Sequence, residues 1–189
     1  MPPLFTRYVD IFSSLITYFV RLGRHRQRVR RYAAALGMAD TFWGRVRLYF
    51  HDWDKYLPAR YYWYARYFCD QYSSATVVAN FRHQADGHVF SNRHHWQFWI
   101  EGKTTLPPVH CQSMPLRDML EMVADWQAMS SEKGTDPLKW YRAEKMGGRL
   151  YLHPQTALRV QTLLSRTDVD PREFVEKWQW IDGHLQSTS

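Results

Sequence analysis

Cysteine is scarce: only Cys69 and Cys111 occur among 189 residues, far apart and without metal-type spacing. That argues against a disulfide framework or a zinc ribbon and points to a reducing compartment. The chain also lacks a G-x-S-x-G elbow, a Gly-rich phosphate loop and a C-x-x-C pair, and no Ser, Cys or Thr has a nucleophile's setting. Covalent acyl transfer and P-loop chemistry therefore drop out. Long hydrophobic runs are missing too. The apolar stretch from Ile11 to Val20 is bracketed by Arg7, Asp10 and Arg21, is too short to span a bilayer, and is followed by no small-residue cleavage site. It reads as a packed helix, with interfacial membrane contact as the alternative, and the expected location is cytoplasmic. No segment sustains the period-two alternation of an exposed-face strand, and neither solenoid repeats nor low-complexity tracts occur.

What is present is aromatic and basic. Nine Trp, twelve Tyr and ten Phe exclude the low-hydrophobicity signature of disorder. A chain of this length with 45% hydrophobic residues can bury one sizeable core, so a single domain over 1–189 is expected. A formal charge of +7 favours anionic partners such as nucleotides, nucleic acid or acidic lipid. The apolar periodicity predicts an all-α fold with helices near 4–22, 24–36, 41–53, 58–72, 74–86, 92–101, 115–130, 137–145, 154–166 and 171–182. Asp40 or Thr41 is placed to cap the third, Pro115 and Pro154 suit first turns, and Asp170-Pro171 reads as an N-cap and N1.

Nine histidines are present, and their placement says more than their number. His25 falls on the inward stripe of Leu22, Val29 and Leu36, where a satisfied core histidine is the plain alternative to a ligand. His51-Asp52-Trp53-Asp54-Lys55 closes the third helix. Adjacent helical residues project about 100° apart, so His51 and Asp52 reach one ion only if it is wedged against that flank. The block His83, His88, Asn92, His94 and His95 is dense in neutral imidazoles, the commonest side-chain metal ligands, although aromatic packing around Trp96–Trp99 also accounts for it. Glu121 and Asp125 lie one turn apart beside the apolar stripe of the helix after Pro115. Carboxylates there are costly unless paired with a metal or a buried Arg, and a solvated face is the competing reading.

Taken in order, His25, His51-Asp52 with Lys55, His83, His94 or His95, and Asp125 resemble the ligand series of the HD superfamily. That resemblance implies an HD-like helical bundle with its metal-site core at about 24–130 and helices over 137–182 packed on it. It implies His25, His51, Asp52 and Asp125 as ligands of one divalent ion, with His83 and one of His94 or His95 serving a second ion or the phosphate, and Asp52 bridging where there are two ions. The chain is also similar to members of a bacterial and phage family without an assigned activity, through Asn92-Arg93-His94-His95-Trp96, Met122-Val123-Ala124-Asp125-Trp126 and Leu152-His153-Pro154-Gln155-Thr156. It departs from familiar HD enzymes in the paired His94-His95 and in Glu121.

Under this resemblance the expected activity is metal-dependent phosphohydrolysis of a nucleotide or other small phosphoester. One or two ions of Mn, Co, Mg, Zn or Fe would acidify a water, and Lys55, in the H-D-x-x-K pattern, would meet phosphoryl charge or the leaving oxygen. Arg24, Arg28 and Glu121 are expected at the substrate, with a solvated helix face as the alternative for the arginines. Two other readings remain: a di-iron oxygenase on the same ligands, and a non-catalytic module whose basic helix docks on nucleic acid or a protein.

Overall fold

The computed structural model describes residues 4–69, 74–103, 110–165, 178–181 and 184–187. Helices dominate them: α1 (Leu4–Ala35), α2 (Phe42–Tyr49), α3 (Pro58–Cys69), α4 (Ala75–Ser91), α5 (Leu116–Lys133), α6 (Pro137–Met146) and α7 (Pro154–Ser165), with 3-10 turns at Trp53–Tyr56, Trp96–Trp99 and Glu101–Lys103. The all-α class is as expected. No helix among the described residues is long and apolar enough to cross a membrane.

Four boundaries differ from the sequence reading, each for a local reason. α1 is one helix rather than two, because a single helical glycine costs only about 1 kcal/mol relative to alanine. The buried stripe Ser14, Tyr18, Leu22, His25, Val29 and Ala33 runs straight past Gly23 at three- and four-residue steps. α2 stops at Tyr49 instead of 53, leaving His51-Asp52 in the following turn. α4 continues to Ser91, and the helix expected over 92–101 does not form. Asn92 is extended (φ −101°, ψ 123°) and turns its Nδ2 back onto the His88 carbonyl at 2.8 Å, ending α4. Beyond the 3-10 turn the chain pairs instead with the segment ahead of α5: Gln112 N–H donates to the Trp99 carbonyl and Glu101 N–H to that of His110, both at 2.9 Å.

The helix expected over 171–182 falls mostly on residues outside the described ones. Its described part, Trp178–Ile181, is a strand (β1) paired antiparallel with His184–Ser187 (β2). In sequence the two strands are separated by Asp182-Gly183, a favoured dipeptide between hairpin strands.

α5 is the central element, with every residue from Asp118 to Trp126 buried. Around it pack Val29 and Ala33 of α1, Leu48 of α2, Tyr141 of α6 and Val160 of α7. A second apolar cluster joins Tyr18 and Leu22 of α1 to Tyr64 and Ala65 of α3. His25 lies between Leu22 of one cluster and Val29 of the other. The seam between the two cores is where polar side chains are buried.

α2 is held close to the turn before it. A Cβ on Gly44 would stand 1.8 Å from the Met38 carbonyl oxygen, so the backbone itself would have to move. We expect Gly44→Ala to destabilise the fold by about 2 kcal/mol or more, read by urea denaturation. A change below 0.5 kcal/mol would mean that α2 shifts freely.

Candidate metal centre

The centre is built around a turn. After α2 the backbone of Asp52 enters the left-handed region (φ 56°, ψ 20°), which Asp tolerates better than most residues. The turn, rather than helical spacing, sends both His51 and Asp52 inward, where each is buried. From α1 comes His25, from α5 Asp125 and Glu121, from the last turn of α4 His88, and from the bend after it His94 and His95.

The two oxygens of Asp52 face different neighbours. Oδ2 lies 3.5 Å from His25 Nε2 and 3.6 Å from His51 Nε2, and His25 Nε2 is 3.1 Å from Asp125 Oδ1. Oδ1 lies 3.1 Å from His88 Nε2 and 3.4 Å from His94 Nε2, with His95 Nε2 2.8 Å from His88 Nε2. Two groups, His25–His51–Asp52 and Asp52–His88–His94–His95, thus bring one ligand atom per residue within 4.8 Å of one another and share Asp52. His25 Nε2, His51 Nε2, His94 Nε2 and Asp52 Oδ1 are buried without a hydrogen-bond partner. Such atoms are costly to bury unsatisfied, and a cation would complete them all. The residues present fit a metal ion, and their nitrogen and oxygen donors, with no thiolate among them, suit a divalent one.

Behind these side chains stand carboxylates that fix the imidazoles. His51 Nδ1 bonds Glu121 Oε1 at 2.9 Å, and Glu121 in turn takes Arg47, which also bonds Asp118. His88 Nδ1 bonds Asp54 Oδ2 at 2.8 Å, and Asp54 is held by Arg60 and by Asn92 at 2.9 Å. With Nδ1 donating to a carboxylate, each ring turns its Nε2 to the centre, the usual support for a metal-binding histidine. Lys55 Nζ donates to Asp52 Oδ2 at 2.6 Å.

Charge in the metal-free centre follows from burial and these neighbours. Burial, reinforced by the Lys55 ammonium, pushes His88 down to about 4. Burial beside His94 pushes His95 well below its ordinary range. Both rings are neutral at pH 7 and so ligand-ready. Burial also works against a charged His25, but the Asp125 and Asp52 carboxylates override it and raise its pKa to about 9. Burial opposes ionisation of Asp52 and Asp125 as well; Lys55 with His51 holds the first carboxyl low, and His25 the second.

A pH dependence follows. His25 must lose its proton to ligate, so metal affinity should rise with pH up to about 9, with proton release at pH 7. Calorimetry in buffers of different ionisation enthalpy reads it, and an affinity flat between pH 6 and 9 would contradict it. In the metal-free fold the sign reverses. The stabilisation from a raised His25 is fully present below its unfolded value of about 6.5 and lost as pH rises through about 9.

Most site residues expected from sequence converge here: His25, His51, Asp52, His94, His95, Asp125 and Lys55. His83 does not. It is exposed on α4, five residues and therefore about 140° away from His88, which takes the inward position. His83→Ala should leave metal content at the wild-type level, checked by elemental analysis. Glu121, expected at substrate, is instead bonded to His51. Burial opposes its ionisation, but the His51 bond and the nearby Arg47 guanidinium keep its pKa below the ordinary value. Arg28 approaches Glu132 at 3.7 Å, and Arg24 is exposed and lines none of the cavities at the centre. Sequence reasoning missed His88 and Asp54 as site residues. The signals were the i, i+4 pair His88 and Asn92 and the second Asp of the His51–Lys55 segment.

Fold and site together define an all-α protein with a buried histidine–carboxylate centre able to hold metal. The profile of a family of unknown function, DUF5662, matches residues 15–166, and the chain belongs to that family. The matched span contains every residue of the centre. No curated protein and no solved structure matches the chain.

Proposed function

We propose that this chain is a two-metal phosphohydrolase of the HD type, acting on a nucleotide or similar small phosphoester. The observation that carries the reading is the division of Asp52: Oδ2 toward His25 and His51, Oδ1 toward His88 and His94. A carboxylate with each oxygen facing its own set of imidazoles suits a bridge between two ions. In chain order, His25, His51-Asp52, His88, His94-His95 and Asp125 resemble the HD ligand series, with His88 in the place expected for His83.

His25, His51, Asp52 and Asp125 would hold one ion, and Asp52, His88, His94 and His95 the other. When bound, such ions neutralise phosphoryl charge and acidify a water molecule. Glu121 and Asp54 orient His51 and His88, so the ligand lone pairs are set before substrate arrives. Burial opposes the charge on Lys55, yet Asp52 keeps its pKa above the ordinary lysine value. Lys55 is therefore a fixed ammonium beside the reacting group, able to stabilise developing charge or donate to the leaving oxygen. An open cavity of about 270 Å³ reaches Asp52, lined by Arg47, His51, Asn92, Arg93 and His94. The Arg93 guanidinium, half exposed at 52%, offers an anion a first contact there.

The test is elemental analysis of protein purified without an affinity tag, followed by phosphate release from 5′-nucleotides with Mn, Co, Mg, Zn or Fe. We expect about two ions per chain and turnover abolished by chelation. Iron-dependent oxygen uptake without phosphate release would replace this reading with the oxygenase. Salt-sensitive nucleic-acid binding that survives chelation, without turnover, would replace it with the binding module.

A further inference from the structure

α1 is apolar on its outer side as well as its inner one. Tyr18 and Leu22 pack inward on α3, while Phe12, Ile16, Phe19 and Val20 recur along the outer side at i, i+4, i+7 and i+8 and are 43–66% exposed. The patch extends beyond the helix. Phe19 meets Tyr56 with ring centroids 6.1 Å apart, Tyr56 meets Trp53 at 5.6 Å, and Trp53 meets Phe50 at 6.2 Å. Trp53 and Phe50 are 52% and 54% exposed, so these rings continue the apolar surface of α1. A contiguous patch of this kind marks an interaction site, as singly scattered apolar residues do not. Its charge has one sign. From Ile11 to Ala35 the sequence holds six arginines and no acidic residue. Arg30 follows Phe12 by eighteen residues, five full turns, and so leaves the helix in the same direction; Arg24 and Arg31 stand four and eleven residues after Val20, near its direction. The outer face is thus apolar in one half and basic in the next. Arg21 and Arg28 reach Glu132, but Arg24, Arg30 and Arg31 are exposed and pair with no carboxylate among the described residues.

We propose that this face docks on an anionic membrane surface, with Phe12, Ile16, Phe19 and Trp53 seated at the headgroup boundary and Arg24, Arg30 and Arg31 on lipid phosphates. The proposal is independent of the phosphohydrolase reading. Charge and chemistry select the occupant together. Aromatic rings and arginines side by side are the groups that suit the headgroup layer, where one end of the contact is apolar and the other carries negative charge. A second copy of the chain fits poorly. A two-fold contact would lay the basic half of the face either on the other copy's basic half or on its apolar half, and in both cases the arginines lack a counter-charge. Nucleic acid supplies the counter-charge but leaves Ile16 and Val20 exposed, because they have no ring to stack on a base.

The test is sedimentation of the full chain with vesicles of phosphatidylcholine alone and of phosphatidylcholine containing about one third phosphatidylserine. The anionic vesicles should bind it at least tenfold more tightly at low salt, and the preference should shrink as salt rises. Arg30→Gln with Arg31→Gln should weaken binding to the anionic vesicles about tenfold. Ile16→Ser with Phe19→Ser should weaken it at least tenfold, by removing the buried apolar area. All four positions are exposed on α1, so both double variants should keep wild-type helical content and metal content. Binding to neither vesicle, equal binding to both, or folded double variants that bind like the wild type would overturn the proposal. Concentration-dependent dimerisation without vesicle binding would give the face to a second copy instead, and salt-sensitive RNA or DNA binding without vesicle binding would give it to nucleic acid.

Discussion

Asp52→Asn should empty both halves of the centre, whereas His88→Ala should empty only one. Asp52 is the one residue common to the His25–His51 group and the His88–His94–His95 group. Replacing a carboxylate oxygen with an amide nitrogen removes the negative charge that the two groups share while keeping the side chain's shape, so the loss is one of charge rather than packing. His88 serves a single group, and it faces Asp52 Oδ1, whereas His25 and His51 face Oδ2. The expected metal content is therefore near zero for Asp52→Asn and near one ion for His88→Ala, against two in the wild type, by mass spectrometry under non-denaturing conditions. Equal losses in the two variants would mean that the groups are not separable.

Lys55→Met should leave both ions bound but lower kcat about 10²–10⁴-fold. The Lys55 ammonium lies 2.6 Å from Asp52 Oδ2 and lines the cavity that holds His25, Tyr18 and Tyr64. Methionine retains most of its length and apolar stem, so packing changes little. On the proposed phosphohydrolase reading the charge acts mainly on the transition state, so kcat should fall while KM stays within a fewfold of wild type. Wild-type turnover in this variant, or loss of metal from it, would move Lys55 out of the reaction and into structural support for Asp52.

The residues of the centre that were legible in the sequence are those whose local pattern already points inward. His25 is on a three- and four-residue apolar stripe, Asp125 flanks the buried face of α5, and the His51-Asp52 doublet is conspicuous at the end of α2. What could not be read depended on where helices end and on what meets across space. His83 and His88 are equivalent as letters. Only the length of α4 and its C-cap at Asn92 decide that His88 faces the centre. The pairing of Asp54 with His88 joins residues 34 apart, and that of Glu121 with His51 joins residues 70 apart. No periodicity records either contact. Asp52 shows the same limit in another form, since its inward direction comes from a left-handed backbone turn and not from the helical projection assumed for it.

If Asp52 joins two metal sites, anomalous diffraction from crystals of the protein grown with manganese will show both. Two peaks about 3.5–4 Å apart, one beside Asp52 Oδ2 with His25, His51 and Asp125 and the other beside Oδ1 with His88, His94 and His95, are the expected result. A single peak, or peaks away from Asp52, would contradict it.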